Sequence, residues 1–154
     1  MGMLCNFMAL PDEQVRQLSS GAVQVSALEE SGAESCALDL GWSAVAFFMG
    51  LEGPARLVVP MGEEFAQKGT GLPHGASLLT AEQVGEAASF LSGLDREALR
   101  QRLQRADDED GLTLLLGDED PEELWAYWME DLDMLQGFYA DAAGRGQQVL
   151  FYVL

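Results

Sequence analysis

The sequence predicts an α+β fold in one domain spanning residues 1–154: a small mixed or antiparallel sheet covered by several helices, with a long C-terminal helix followed by a final strand. Three observations predict it. The longest periodic segment begins at Pro121 (PEELWAYWMEDLDMLQGFYADAAGRG). In it, Leu124, Trp128, Leu132, Leu135, Phe138 or Tyr139, and Ala142 recur at three- and four-residue steps, which places them on one face of a helix. The closing run QQVLFYVL is β-branched and aromatic enough for a buried strand. Finally, 48% of the 154 residues are hydrophobic, enough to fill one core and to oppose wholesale disorder.

The helix boundaries follow from local chemistry. Pro121 suits a first turn, where its missing N–H costs nothing. Glu122 and Glu123 complement the positive end of the helix dipole. Gly144 and Gly146 supply the stop.

From the other end, residues 3–10 (MLCNFMAL) are short and apolar, and periodicity leaves a strand and a buried extended lead-in equally open. Pro11 opens a short helix with Asp12 and Glu13 in its first turn and Val15 and Leu18 facing inward. Ser19, Ser20 and Gly21 end it. A weaker helix is expected over 23–30, then a loop over 32–35. Residues 38–51 (LDLGWSAVAFFMGL) form the most apolar window. Trp42, Val45, Ala46 and Met49 share one helical face, and Phe47 and Phe48 make the segment apolar all round, so a buried helix capped by Asp39 is expected there. Residues 55–59 (ARLVV), stopped by Pro60, read as a strand. The expected sheet therefore contains 55–59 and Gln148–Val153. Residues 61–76 are Gly-rich and aperiodic, a long surface loop of the kind that is often functional. Thr80 and Gln83 form a capping box for a helix to about Ser92. Asp95 caps another, to about Gln104, using Leu99 and Leu103. No repeat or linker divides the chain.

The net charge is −18 and the pI about 4.1. Such a surface repels phosphate backbones and anionic headgroups, so neither a nucleic-acid partner nor a membrane is expected. It steers basic partners into encounter instead. Two cysteines, Cys5 and Cys36, make no disulfide framework and read as buried free thiols. No basic stretch followed by an apolar run opens the chain, and no apolar run reaches the about 18 residues of a spanning helix. A cytoplasmic location is expected.

Motifs for chemistry are scarce. His74 is the one histidine, which excludes HExxH and two-histidine metal sites. No GxSxG surrounds a serine. The run from Ala106 to Gly111 resembles a calcium loop only faintly: with Gly111 as sixth residue, Ala106 and Gly117 stand where carboxylates are required. Neither Gly69-Thr70-Gly71 nor Gly144-Arg145-Gly146 sits between a strand and a helix as a phosphate cradle does. No cofactor, metal site or catalytic residue is assigned.

One region stands out. Twelve acids and no Lys or Arg fall between Asp107 and Asp133. Asp107 to Asp110 and Asp118 to Glu123 flank Leu112 to Leu116, a short strand or a buried turn, and lead into Trp125, Tyr127 and Trp128. Trp125 lies off the Trp128 line, so the two need not share the core. A solvated helix start with both tryptophans in the core is the plain alternative. Acid beside an exposed aromatic is an anchor for a basic partner.

Across nearly its whole length the chain also resembles the YfbM-like bacterial family, a domain of unknown function, as a divergent member. The resemblance rests on Met1-Gly2-Met3 with Asn6-Phe7, on Leu38-Asp39 followed by Trp42, Phe47-Phe48 and Gly50, on Leu79 to Val84, and on Leu135-Gln136-Gly137-Phe138-Tyr139 ahead of Val149-Leu150-Phe151-Tyr152. It implies a single α+β domain and no established activity. Where family members often have histidines after the tryptophan, this chain has Ser43 and Ala46. Where they often have Pro-Ala-Arg before the capping-box helix, it has Gly75, Ala76 and Ser77. The resemblance thus implies a member that lacks the polar groups a family site would use.

The functional expectation is a non-enzymatic acidic binding protein of the immunity or antitoxin type, which occludes a basic toxin. Asp107, Asp108, Asp110, Asp118, Glu119, Asp120, Glu122 and Glu123 would steer the partner, with Trp125 as the anchor buried on contact. The alternative is a small-molecule-binding or enzymatic domain that uses the 61–76 loop with His74 as its titrating group.

Overall fold

Strand β1 (Cys5–Leu10) and strand β5 (Gln148–Val153), from opposite ends of the chain, lie side by side in the middle of the sheet. The fold is that of a computed structural model describing residues 5–38, 55–60, 65–67, 76–105 and 121–153. Among these, the remaining strands are β2 (Ser35–Leu38), β3 (Ala66–Gln67) and β4 (Ala76–Leu79). The sheet order is β2-β1-β5-β4-β3, and every neighbouring pair is antiparallel.

β1 and β5 are apolar at almost every position because helices cover both faces of the sheet, so neither shows the alternation of a half-exposed strand. Residues of one parity, Met8, Leu10, Leu150 and Tyr152, meet Val15 and Leu18 of α1 (Asp12–Ser19) and Val25 and Leu28 of α2 (Val25–Glu30). The other parity, Cys5, Phe7, Ala9, Val149 and Phe151, faces the larger core. There it meets α3 (Ala55–Val58), α4 (Ala81–Ser92) and α6 (Pro121–Gly144), with Leu99 of α5 (Arg96–Arg105) completing it.

α6 buries Trp128, Leu132, Leu135, Tyr139 and Ala142, the stripe its periodicity predicts. Between the two aromatic candidates, Tyr139 is the fully buried one and Phe138 is half-buried. Phe7 gathers the aromatic centre, with its ring centroid 5.1 Å from Phe151, 6.2 Å from Tyr139 and 6.3 Å from Phe138. α6 closes in a Schellman turn: the Gly146 N–H donates to the Ala143 carbonyl at 3.1 Å and the Gln147 N–H to Ala142 at 3.0 Å. Gly146 stands at φ +65°, a conformation L side chains resist, and this turn sends the chain directly into β5.

The caps expected at Thr80 and at Asp95 are present. The Thr80 hydroxyl accepts from the Gln83 N–H at 3.2 Å while the Gln83 side chain accepts from the Thr80 N–H at 2.9 Å. Asp95 Oδ1 accepts from the Glu97 and Ala98 N–H groups.

The sheet differs from expectation in its membership. Residues 55–59 are not a strand: Ala55–Val58 is a short helix, α3. Burial of Leu57, Val58 and Val59 in the larger core satisfies their apolar character without a ladder. The place beside β5 belongs to β4, whose first residue, Ala76, is the last of the expected loop, and whose next three, Ser77, Leu78 and Leu79, precede the capping box. Likewise Ser35, expected in a loop, opens β2, and Leu38, the first residue of the most apolar window, is that strand's last residue. Four- and two-residue strands carry too little pattern to register by periodicity. Within the 61–76 loop, Phe65 is buried and Ala66–Gln67 forms β3. The helix expected over 39–51, the 112–116 insert and His74 lie outside the described residues.

Candidate partner interface

The first turns of α6, with α5 beside them, carry the described part of the predicted interface. Asp107, Asp108, Asp110, Asp118, Glu119 and Asp120 lie outside the described residues; Glu122, Glu123 and Trp125 lie within them. Glu122 and Glu123 are both exposed on the first turn of α6, where the free N–H groups of the helix end favour negative charge.

Their roles differ. Arg100 Nη2 donates to Glu122 Oε2 at 2.6 Å, and the same guanidinium lies 5.9 Å from the Trp125 ring centroid. Trp125 is half-buried, packed against the larger core on one side and overlaid by Arg100. One arginine of α5 therefore neutralises the first acid of α6 and lies over the aromatic residue of the site. A turn earlier on α5, Arg96 Nη2 donates to Asp133 Oδ1 at 2.5 Å and to Gln136 Oε1 at 3.1 Å, while Gln136 Nε2 donates to the Leu91 carbonyl at 3.0 Å. The arginines that α5 directs at α6 are thus committed within the chain. Arg145 is committed too, to Glu34 at 2.8 Å. Glu123, by contrast, has no ion-pair partner among the described residues.

Asp131, one of the twelve acids between Asp107 and Asp133, is buried, whereas Glu122, Glu123, Glu130 and Asp133 are exposed. It is only 9% exposed, on the core side of α6. Burial, and after it the nearby Asp131 carboxylate, pushes the Cys36 thiol of β2 up from 9.0 to about 12. Burial alone does the same to Cys5. Cys36 in turn opposes ionisation of the buried Tyr139 phenol, which desolvation already raises well above its usual value. The signal was present in the sequence: Asp131 follows Trp128 by three residues and precedes Leu135 by four, on the inward stripe. Cys5 faces Leu38 and Cys36 faces Phe7, so the thiols sit diagonally on adjacent strands, and both are free; Cys5 is buried as expected, but Cys36 is only half-buried, packed against the rim of the larger core. Thiols held at about 12 are not thiolate nucleophiles at neutral pH.

Among the described residues no group of three or more His, Cys, Asp or Glu side chains is arranged to hold a metal ion. No helix among them is long and apolar enough to cross a membrane. A depression of about 510 Å³ on α1 is lined by Glu13, Arg16, Gln17 and Ser20. Its lining comes from one helix surface and lacks the converging apolar walls of a ligand pocket.

The crystal structure of YfbM, a protein of unknown function from Escherichia coli, superposes on 98% of this chain and 99% of its own with a TM-score of 0.69 at 20% sequence identity. At that identity the match speaks for the fold, and it agrees with the α+β architecture described above. No curated protein matches the sequence. The model of a domain of unknown function, DUF1877, matches residues 1–152, and the chain belongs to that family.

Proposed function

We propose that this protein is a non-enzymatic binding protein that captures a basic protein partner, in the manner of an immunity protein occluding a toxin. The observation that carries this reading is the charge account of the α5–α6 region. The chain has 26 acids against 8 Lys and Arg, and Arg96, Arg100 and Arg145 are committed to acids of the same chain. The remaining excess of negative charge is left available to a basic partner. In an encounter with a basic protein, the acids from Asp107 to Glu123 supply long-range attraction, which raises the association rate. Trp125 supplies the apolar anchor once Arg100 swings away, exchanging an intramolecular cation for one from the partner.

Affinity capture from the native organism, at low and at high salt, followed by co-expression tests this. The expected result is a basic protein retained at low salt and released at high salt, whose expression arrests growth unless this chain is present. Retention of no basic protein at low salt, or no protection on co-expression, removes the proposal.

A further inference from the structure

α6 carries a second seam. Its inner face buries Trp128, Leu132, Leu135, Tyr139 and Ala142, spaced four, three, four and three residues apart. On its outer face Glu123, Tyr127, Glu130, Met134, Gly137 and Asp141 follow the same alternating spacing, and all six are exposed. Tyr127 (45%) and Met134 (41%) are the exposed large hydrophobic residues among those described. They stand seven residues apart, two turns, on one line of the helix. Glu123, Glu130 and Asp141 continue the seam, and none of the three is in an ion pair among the described residues. Gly137 leaves open space beside Met134's end of the seam, since a Cβ built there meets nothing within 4 Å.

We propose that this outer seam docks a basic amphipathic helix of the partner, laid along α6. The inference rests on the reading of the protein as a binder of basic partners and names the shape of what it binds. A helix facing α6 presents side chains at the spacing of three and four residues that the seam repeats. Its apolar residues cover Tyr127 and Met134, and its Lys or Arg residues reach Glu123, Glu130 and Asp141. From position 123 to 141 the seam runs about 27 Å, the length of a helix of about eighteen residues. Charge selects the occupant. A second copy of this chain, with net charge −18, would set the same acids against one another in a two-fold contact, which repels. Tyr127 and Met134 suit the task in different ways: Tyr offers a rigid amphipathic ring and Met a side chain that adapts to irregular partners.

Two labelled synthetic peptides of about eighteen residues serve as probes, matched in Lys content, one with Leu and one with Gln along a heptad seam. At about 50 mM salt, where exposed charges are weakly screened, both are expected to bind, the Leu peptide about tenfold more tightly, as burial of two large side chains supports. Tyr127→Ala with Met134→Ala is expected to abolish that tenfold preference and leave the Gln peptide's affinity unchanged. Glu123→Gln with Glu130→Gln and Asp141→Asn is expected to weaken both. All five residues are exposed, and an unchanged circular dichroism melt verifies that the variants fold. Equal affinity for the two peptides, or a preference that survives the alanine pair, overturns the docking seam while leaving the charge reading in place. Failure to bind either peptide removes both. Sedimentation of a dimer that Tyr127→Ala and Met134→Ala dissociate would assign the seam to self-association and overturn the basic occupant.

Discussion

The Tyr139 hydroxyl donates to the Val58 carbonyl oxygen at 2.8 Å, with the Leu57 carbonyl at 3.4 Å, deep in the larger core. This pair fastens α6 to α3. It explains how 55–59 remains apolar and buried while not being a strand: a carbonyl that would have joined a ladder is answered by a tyrosine more than eighty residues away in sequence.

Removing only the hydroxyl tests that fastening. Tyr139→Phe keeps the ring against Phe7 and leaves buried carbonyls without their donor, a loss of about 1–3 kcal/mol. Urea unfolding should show a lower midpoint with the slope unchanged. An unaltered midpoint would mean that water or another donor replaces the phenol.

The Arg100 guanidinium predicts a separation of stability from binding. Its pair with Glu122 is exposed, so reversing Glu122 and Glu123 to Lys should lower the melting temperature by less than about 4 °C yet weaken capture of a basic partner. Arg100→Ala should uncover the Trp125 ring, read as increased acrylamide quenching of tryptophan fluorescence. Unfolding of the charge-reversed variant at room temperature would contradict the exposure of this helix end.

Two glycines should respond in opposite directions. Gly85 lies inside α4 with open space where a Cβ would go, so Gly85→Ala should stabilise by about 0.5–1 kcal/mol. Gly146 stands at φ +65° in the Schellman turn, so Gly146→Ala should cost about 1–2 kcal/mol. Paired denaturation curves decide both signs.

The thiols predict an alkaline limb. Cys5 and Cys36 titrate at about 12 in the folded chain, against 9.0 when unperturbed. The folded state therefore holds these protons longer than the unfolded state. Stability from this source is complete below about pH 9 and is lost as pH rises from there toward 12. Denaturation midpoints across that range should fall, and the fall should shrink in a Cys5→Ala, Cys36→Ala double variant. At pH 8 both thiols should react with Ellman's reagent only after unfolding.

Much of the helical part was legible because its signals are local. The stripe of α6, the capping box at Thr80, the Asp95 cap and the inward pair Val15 and Leu18 each depend on residues within a turn or two of one another. Of the candidate interface, the exposure of Glu122 and Glu123 and the difference between Trp125 and Trp128 were legible, the first from charge and the second from helical spacing. Asp131 is an acid that composition alone does not single out, although its place between Trp128 and Leu135 marks it as inward.

By itself, then, the sequence determined the fold class, most of the helices, the final strand and the sign of the surface potential, all of which follow from composition and short-range periodicity. Only the tertiary structure decided which segments enter the sheet. Ala76–Leu79 and Ser35–Leu38 do so and Ala55–Val58 does not, because short strands are selected by the partners that satisfy their backbones. It also decided that Arg100 lies between Glu122 and Trp125. An ion pair across two helices depends on how their faces meet, and no spacing along the chain encodes that meeting.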